Sequence, residues 1–146
     1  MKQPQHDDAA TLLAAVKSAQ TKAYAPYSKF KVGAAIVADD GEVYTGCNVE
    51  NASYPEGTCA EAGAIAAMVM AGGKQIRQIY VIGNGEGLVS PCGGCRQRIR
   101  EFANADTTVH ICGPEGVRAV LNIHDLLPHS FGPEQLQEHS AKEEGK

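Results

Sequence analysis

Residues 76–102 read IRQIYVIGNGEGLVSPCGGCRQRIREF, and this stretch predicts a strand, a loop and a helix in succession. The β-branched run Ile76–Ile82 is typical of a strand and is followed directly by glycine. The segment 91–102 opens with proline, which is favoured in the first turn of a helix. Thr107–Cys112 is a further apolar run and predicts a second strand. Two strands joined through a helix indicate a crossover connection within an α/β sheet.

The sequence on either side of this stretch predicts a helix, a hairpin and a second helix before it, and short elements after it. Asp40-Gly41 lies between two β-branched segments and is a hairpin turn signal, while Gly72-Gly73 ends an alanine-rich helix. The remaining predicted elements are a helix from Asp7 that ends before Pro26, strands at Phe30–Val37 and Glu42–Val49, a helix at Ala60–Ala71, a short strand at Val117–Val120 and a helical turn at Ile123–Leu127.

This order of elements predicts an α/β fold, a three-layer α/β/α sandwich around a mixed sheet of about five strands. We expect one antiparallel hairpin beside strands that are joined by helical crossovers. Because the chain has 146 residues, of which 43% are apolar, we expect a single domain over 1–146. The charged segment 133–146 is expected to be a frayed tail.

Composition and charge argue against several classes of function. The net charge is −4 and no long basic run occurs, so a nucleic-acid partner is not expected. No charged-then-apolar leader opens the sequence, and no apolar run reaches the roughly 18 residues of a membrane span, so no membrane partner is expected. The five cysteines are odd in number and lack the spacing of a disulfide framework. We therefore expect a cytoplasmic protein.

Three cysteines at the starts of predicted helices carry the chemistry. Cys92 and Cys95 form a C-x-x-C pair, the spacing at which two thiolates reach one metal ion. Cys59 directly precedes the helix at Ala60–Ala71, where free backbone N–H groups favour thiolate over thiol. If the two helix starts face each other, the three sulfurs surround one Zn²⁺. The fourth tetrahedral position is then open for water, which is typical of a catalytic zinc site.

Glu61 follows Cys59 by two residues and is better placed to move a proton of that water than to bind the metal. The alternative is a structural zinc site in which Cys47 or Cys112 supplies a fourth ligand. The protein is then a non-catalytic zinc-binding module that uses the metal to fold. The carboxylate next to the cysteines favours the catalytic interpretation.

Further motifs extend this pattern over most of the chain. They are Ala25-Pro-Tyr-Ser-Lys-Phe-Lys-Val-Gly-Ala-Ala, Gly46-Cys-Asn-Val-Glu-Asn-Ala-Ser-Tyr, Thr58-Cys-Ala-Glu, Pro91-Cys-Gly-Gly-Cys-Arg-Gln and Leu126-Leu-Pro-His-Ser-Phe. With these motifs, the sequence resembles the small, homotetrameric class of cytidine deaminases, in which cysteine rather than histidine is the first zinc ligand. The resemblance implies an enzyme that hydrolyses the 4-amino group of free cytidine and deoxycytidine. It also implies one Zn²⁺ per chain and a homotetramer with shared active sites.

The resemblance assigns roles to individual residues. The matching positions are Cys59, Cys92 and Cys95 for the zinc ligands, Glu61 for proton transfer, Phe30 for the pyrimidine ring, Ala60 for the base edge, Asn48 and Glu50 for the ribose hydroxyls, and Tyr54 and Phe131 for the pocket of a neighbouring subunit. Asn48 and Glu50 lie two residues apart in a predicted strand, so alternation puts both side chains on one face. Without the resemblance, both also read as polar residues at a strand end, and Phe30 as a core residue.

One position departs from the class. Its members often carry arginine directly after the glutamate of Thr-Cys-Ala-Glu, and this sequence has Ala62 there. Three thiolates give a zinc centre a net negative charge, which a nearby arginine that donates to the sulfurs offsets. Arg96 is the residue that we expect to tune the charge of the zinc centre.

Two other functions use the same zinc chemistry, namely deamination of another aminopyrimidine and deamination of cytosine in polynucleotides. Glu50 favours a free nucleoside, because a carboxylate that accepts from the ribose 3′-hydroxyl repels a phosphate esterified there. Lys29 and Lys31 are the basic residues nearest to the pocket motifs, and the sequence has no basic patch to follow a nucleic-acid strand.

Overall fold

The computed structural model describes residues 8–137, which form a sheet with helices on both of its faces. In chain order the elements are α1 (Ala9–Thr21), β1 (Gly33–Ala38), β2 (Val43–Cys47), a 3₁₀ turn (Tyr54–Glu56), α2 (Ala60–Met70), β3 (Ile76–Ile82), α3 (Gly93–Phe102), β4 (Thr108–Gly113), β5 (Gly116–Asn122) and α4 (Ile123–Leu126). Each predicted helix and strand is present, with differences at the ends of some of them.

The sheet has the strand order β2-β1-β3-β4-β5. Among the described strands, β3 and β4 form the parallel pair, and α3 is the crossover between them. The remaining neighbours are antiparallel, so the predicted mixed sheet is confirmed. One hairpin was expected, but β4 and β5 form a second one, in which β5 continues to Asn122 instead of ending at Val120. Gly116 has a φ of +147° and completes the tight turn between these strands.

Helices pack on both faces of the sheet, which confirms the predicted three-layer α/β/α sandwich. On one face, Leu12 and Val16 of α1 belong to a buried cluster with side chains of β1, β3 and β4. On the other face, α2 and α3 contribute Ala64, Met68 and Ile99 to a larger core. All six residues of β1 are buried, because alternate side chains enter the two cores.

The tail expected at 133–146 lies partly outside the described residues. Residues 133–137 are helical, and 138–146 are not described. Across residues 8–137, none of the helices combines the length and the apolar character that crossing a membrane requires.

Gly46 on β2 fixes the position at which α2 begins. A Cβ at this residue would lie 2.4 Å from the carbonyl oxygen of Ala60 and 2.4 Å from the backbone nitrogen of Ala64. The first turn of α2 therefore packs directly on the backbone of β2, and the space at position 46 is too small for a side chain. This contact sets the position of the segment that carries Cys59 and Glu61.

Replacing Gly46 with alanine is expected to lower the free energy of unfolding by about 1–3 kcal/mol or more, because the new methyl group forces helix and strand apart. Chemical denaturation followed by circular dichroism measures the change. Gly87→Ala is the matched control, since a Cβ at Gly87 meets nothing within 4 Å. The control is expected to stay within about 0.5 kcal/mol of the parent protein. Equal stabilities of the two variants would contradict the close approach.

β1 and β2 are both shorter than predicted at the end where β1 begins and β2 ends. β1 starts at Gly33 instead of Phe30, and β2 ends at Cys47 instead of Val49. Val49 makes isolated bridges to two loop segments and does not continue the hairpin. The two strands separate here because the chain after β2 pairs with Tyr24 and Thr58 and no longer with β1.

The Asn48 side chain adds to the last backbone hydrogen bond at this end, in which the Asn48 N–H donates to the Val32 carbonyl oxygen at 3.2 Å. Its Nδ2 donates to the Phe30 carbonyl oxygen at 2.8 Å, and its Oδ1 accepts from the Val32 backbone nitrogen at 2.8 Å. Asn48 and Glu50 both lie beyond the last residue of β2, so the predicted strand does not carry them. They flank Val49, which is bridged to Tyr24 on one side and to Thr58 on the other.

Candidate active site

Three cysteine side chains meet where the N-termini of α2 and α3 approach each other. Cys59 is the residue that precedes α2, Cys92 precedes α3, and Cys95 lies in the first turn of α3. Their sulfur atoms all lie within 4.8 Å of one another. Neither Cys47 nor Cys112 belongs to this group, which among residues 8–137 consists of three cysteines. The fourth ligand of the structural alternative is therefore not provided by either of them.

The geometry and chemistry of this group fit a zinc ion. Zn–S bonds of about 2.3 Å in a tetrahedral arrangement place sulfurs about 3.8 Å apart, which a group closer than 4.8 Å accommodates. Thiolate sulfur is also a donor that Zn²⁺ prefers. Three protein ligands leave one tetrahedral position for water or substrate, as in catalytic zinc sites.

Burial and local charge act on the three thiols in different directions. The backbone N–H of Cys95 lowers the pKa of the Cys92 thiol. Burial raises the pKa of the Cys59 and Cys95 thiols, and the negative charge of Glu61 adds to the increase at both. A bound Zn²⁺ would oppose this increase and favour the thiolates.

Glu61 lies in the first turn of α2 and is only 4% exposed. Carboxylates are rarely this buried unless they have a partner or a function. The carboxylate is near enough to raise the pKa of Cys95, and it lines the same cavity as Cys59 and Cys92. Glu61 therefore shares the cavity wall with two of the three cysteines, and almost none of its own surface is exposed.

A cavity of about 620 Å³ opens beside the cysteine cluster, a volume typical of a small-molecule site. The residues matched to substrate contacts that line it are Phe30, Asn48, Glu50, Tyr54 and Ala60. The walls also include backbone and side chains that sequence reasoning did not single out, such as Ser28, Val89 and Ser90. These residues lie in loops, where the sequence has no periodic pattern to mark them.

Glu50 is held at the cavity by the turn that follows Pro26. The backbone nitrogens of Tyr27 and Ser28 donate to Glu50 Oε1 at 3.0 and 3.1 Å. Hydrogen bonds from Ser28 lower the pKa of the Glu50 carboxyl, so the group is ionised at neutral pH. The pattern of side chains in a sequence does not predict that the backbone N–H groups of Tyr27 and Ser28 bind Glu50.

Comparison with known proteins identifies the family. The model of the zinc-binding region of cytidine and deoxycytidylate deaminases matches residues 6–111, a range that includes the three cysteines and Glu61. The chain belongs to this deaminase family. The resemblance inferred from the sequence motifs is therefore confirmed, and so is the zinc-binding character of the cysteine group.

Relatives of this deaminase can be aligned with it over most of their length. A cytidine deaminase from Sporosarcina psychrophila is 43% identical over 129 residues, which cover 88% of this chain and 95% of the relative. A cytidine deaminase from Halalkalibacterium halodurans is 38% identical over 120 residues, covering 82% and 91%. The crystal structure of a cytidine deaminase from Burkholderia pseudomallei superimposes with a TM-score of 0.79 at 44% identity, covering 85% of this chain and 99% of that one.

The structure corrects the contact expected of Arg96. Its guanidinium donates to the carbonyl oxygens of Pro91 and Leu126, each at 2.8 Å, and to Ser90 Oγ at 3.1 Å. Arg96 therefore ties the start of α3 to α4, because these oxygens occupy its donors. A different arginine of this deaminase reaches the cluster.

That arginine is Arg98, whose Nη1 lies 3.5 Å from the sulfur of Cys95. Arg98 was not among the residues predicted to act at the site. Residues two apart on a helix point in different directions, so Arg96, Arg98 and Arg100 of α3 do not face one common site. The informative spacing was that of Cys95 to Arg98, since residues three apart lie on the same face of a helix.

The two aromatic residues matched to a neighbouring subunit's pocket are both exposed. Tyr54 is 76% exposed and contacts the Tyr27 ring edge-on, with the ring centroids 5.9 Å apart. Phe131 is 58% exposed, and its carbonyl oxygen accepts from Gln97 of α3 at 2.9 Å. Phe131 is outside the walls of the cavity in its own chain.

Proposed function

We propose that this chain catalyses the hydrolytic deamination of cytidine and deoxycytidine, which consumes water and yields uridine or deoxyuridine plus ammonia. The observation that carries the proposal is the buried Glu61 on the wall of a nucleoside-sized cavity, next to a three-cysteine zinc group. Family membership and the relatives named cytidine deaminase support it. One Zn²⁺ per chain is the cofactor.

Zinc held by the three cysteines would supply a water that ionises near neutral pH. Glu61 would take one proton from this water and deliver it to N3 of cytosine, while the water oxygen bonds to C4. Glu61 would then take the proton of the new C4 hydroxyl and pass it to the 4-amino nitrogen, so that the C4–N bond breaks, ammonia leaves and the C4 carbonyl of uracil forms. A single carboxylate thus serves as base and as acid, and its burial keeps these protons from exchanging with bulk water.

The residues around the cavity supply the contacts that hold the nucleoside. We assign Phe30 to the pyrimidine ring, the backbone of Ala60 to the base edge, and Asn48 and Glu50 to the ribose hydroxyls. Their common position on the cavity wall supports these roles. Asn48 also holds the Phe30 backbone through its side-chain amide, so it positions the aromatic ring as well.

The charge of Glu50 predicts a strong preference for the free nucleoside. An ionised carboxylate at the 3′-hydroxyl repels a phosphate there, and about 4 kcal/mol of repulsion acts between two such charges 4 Å apart near a protein surface. We expect kcat/KM for cytidine 3′-monophosphate and for a cytosine-containing single strand to be at least about a hundredfold below that for cytidine. Cytidine 5′-monophosphate is expected to be a poor substrate as well, since among residues 8–137 no Arg lines the cavity and neither does Lys29 or Lys31.

An absorbance assay of the four substrates under one condition measures this preference. Glu50→Gln is the informative variant, because it removes the charge while keeping the shape of the side chain. The ratio of cytidine to 3′-monophosphate turnover is expected to shrink in this variant. Comparable kcat/KM for either phosphorylated substrate or for the strand in the parent protein would favour the polynucleotide or nucleotide alternative.

The active assembly in this proposal is a homotetramer in which chains share their pockets. The exposure of Tyr54 and Phe131, two large apolar side chains beside or near the site, supports it. We expect light scattering to give a tetramer. An active monomer would contradict the assembly.

Phe131→Ala is expected to raise KM for cytidine by about tenfold, because truncating a buried interface aromatic typically costs 1 kcal/mol or more. Leu136→Ala is the matched control, since Leu136 is 61% exposed, close to the 58% of Phe131. Steady-state kinetics of both variants test the contact. A KM for Phe131→Ala equal to that of the control would show that Phe131 does not reach a pocket.

Two further parts of the proposal concern the organisation and the location of the chain. We propose a single deaminase domain over 1–146, supported by the single sheet that joins the described elements. We also propose a cytoplasmic location without nucleic-acid or membrane partners. The five free thiols support this location, because zinc-binding thiolates persist where cysteines stay reduced.

A further inference from the structure

Arg98 reaches the cysteine cluster from the second turn of α3. Its Nη1 lies 3.5 Å from the sulfur of Cys95, a side chain that is fully buried. The guanidinium folds back along the helix towards its N-terminus, and a Cβ at Gly94 would lie 3.3 Å from Nη1. A helical side chain leans in this direction, so the contact follows from the three-residue spacing.

The sulfur is the partner that the structure gives this cation. Among the described residues, the two ion pairs are Arg100 with Glu134 and Arg118 with Glu115, and neither involves Arg98. Arg98 is an exposed residue, but its guanidinium donates to a fully buried sulfur, a contact that a charge surrounded only by water does not make.

The contact between Arg98 and Cys95 places a positive charge next to a site that is negatively charged when zinc is bound. Zn²⁺ with three thiolates carries a net negative charge, and the carboxylate of Glu61 lies close by. The N-termini of α2 and α3 offset part of this charge. Position 62 holds alanine, and the guanidinium of Arg96 is occupied by oxygens at the α3–α4 junction. A neighbouring cation is therefore needed, and Arg98 is placed to be that cation.

We propose that Arg98 is the positioning residue that stabilises the three-thiolate zinc centre, by donating a charged hydrogen bond to the Cys95 sulfur. It acts through a ligand and does not touch the substrate. The inference rests on the zinc site of the proposed function. It adds that this chain offsets the thiolate charge from the Cys-x-x-Cys helix and not from the helix that carries Glu61.

Zinc affinity measured in competition with a chromogenic chelator tests the inference. Loss of a group that hydrogen-bonds a metal ligand typically lowers metal affinity by 10–100-fold, and we expect a change of about that size for Arg98→Leu. Arg98→Lys keeps the charge and is expected to stay within about threefold of the parent protein. Arg98→Gln keeps an N–H donor without the charge and is expected to resemble Arg98→Leu.

Arg77→Leu is the matched control, because it removes the same charge from an exposed residue at the other end of β3. Its Nη2 donates to the Asp39 carbonyl oxygen at 3.0 Å, far along the strand from the loop that leads to α3. The control is expected to bind zinc like the parent protein. Circular dichroism of each variant shows that the fold is retained.

Cobalt substitution gives a second reading that does not depend on activity. Removing a charged donor from a ligand sulfur raises the energy of its lone pairs, so the sulfur-to-cobalt absorption band is expected to move to longer wavelength in Arg98→Leu, and to stay in place in Arg98→Lys and Arg77→Leu. Unchanged zinc affinity and an unchanged band in this variant would overturn the inference while leaving the zinc site intact. A parent protein without zinc would overturn the zinc site itself, so the two failures are distinguishable.

Discussion

Glu61→Gln is expected to keep the fold and the zinc while turnover of cytidine falls by about 10⁴-fold. Removal of a general acid–base group typically costs 10²–10⁴-fold, and this carboxylate serves both proton transfers of the reaction, which places the effect at the upper end. Glutamine has nearly the same shape as glutamate, so the packing of this 4% exposed side chain is preserved. Steady-state kinetics with cytidine, together with zinc analysis of the same sample, measure both quantities.

Glu101→Gln is the control for this substitution, because it makes the same chemical change on the exposed surface of α3. It is expected to leave turnover unchanged. If Glu61→Gln retained a tenth of the parent activity, Glu61 would not be the proton-transfer group. If it lost its zinc, the carboxylate would belong to the metal site instead.

Cys95→Ala is expected to lose its zinc on dialysis and to lose activity to the limit of detection. Cys95 is fully buried, and its sulfur is one of only three in the described metal group, so two ligands remain to hold the ion. Metal analysis of the dialysed variant measures the loss. X-ray absorption of the parent protein is expected to show three sulfur ligands and no nitrogen ligand.

Cys47→Ala and Cys112→Ala are the controls for the ligand assignment. Both residues lie outside the metal group, and Cys112 is buried in the core on the α1 side of the sheet. Each variant is expected to keep one zinc per chain. Loss of zinc from either control would restore the four-cysteine structural site as the better description.

The elements with the strongest sequence signals were predicted closely. β3 was predicted at its observed bounds, since its β-branched run ends sharply at a glycine. α2 was predicted to within one residue, because an alanine-rich segment is followed by two glycines, of which Gly72 has a φ of +95°. The crossover order of these elements then sufficed to predict the layers of the fold.

The ends of β1 and β2 could not be predicted, because a side chain and not a pattern determines them. Val49 continues the apolar alternation of the strand, but the last bonds to the facing segment are made by Asn48, through its backbone N–H and its side-chain amide. Asparagine competes with the backbone for hydrogen bonds, and a sequence does not show which partner it finds.

In the site as well, residues with a fixed sequence spacing could be predicted, and residues placed by long-range contacts could not. The three cysteines and Glu61 share fixed spacings at helix starts, so their convergence was foreseeable. The three-residue spacing of Cys95 and Arg98 was a usable sequence signal, whereas the contacts that hold Arg96 away from the cluster include the carbonyl oxygen of Leu126, 30 positions further along the chain. Such long-range contacts carry no sequence signal.

The central claim is that a zinc-dependent deaminase site is formed by the three cysteines and Glu61. The most direct test is to incubate the purified protein with cytidine, follow absorbance and ammonia together, and measure zinc in the same samples over a series of metal loadings. We expect uridine and ammonia in equal amounts, with activity rising in proportion to zinc up to one ion per chain. A folded protein that holds one zinc per chain and leaves cytidine unchanged would contradict the account.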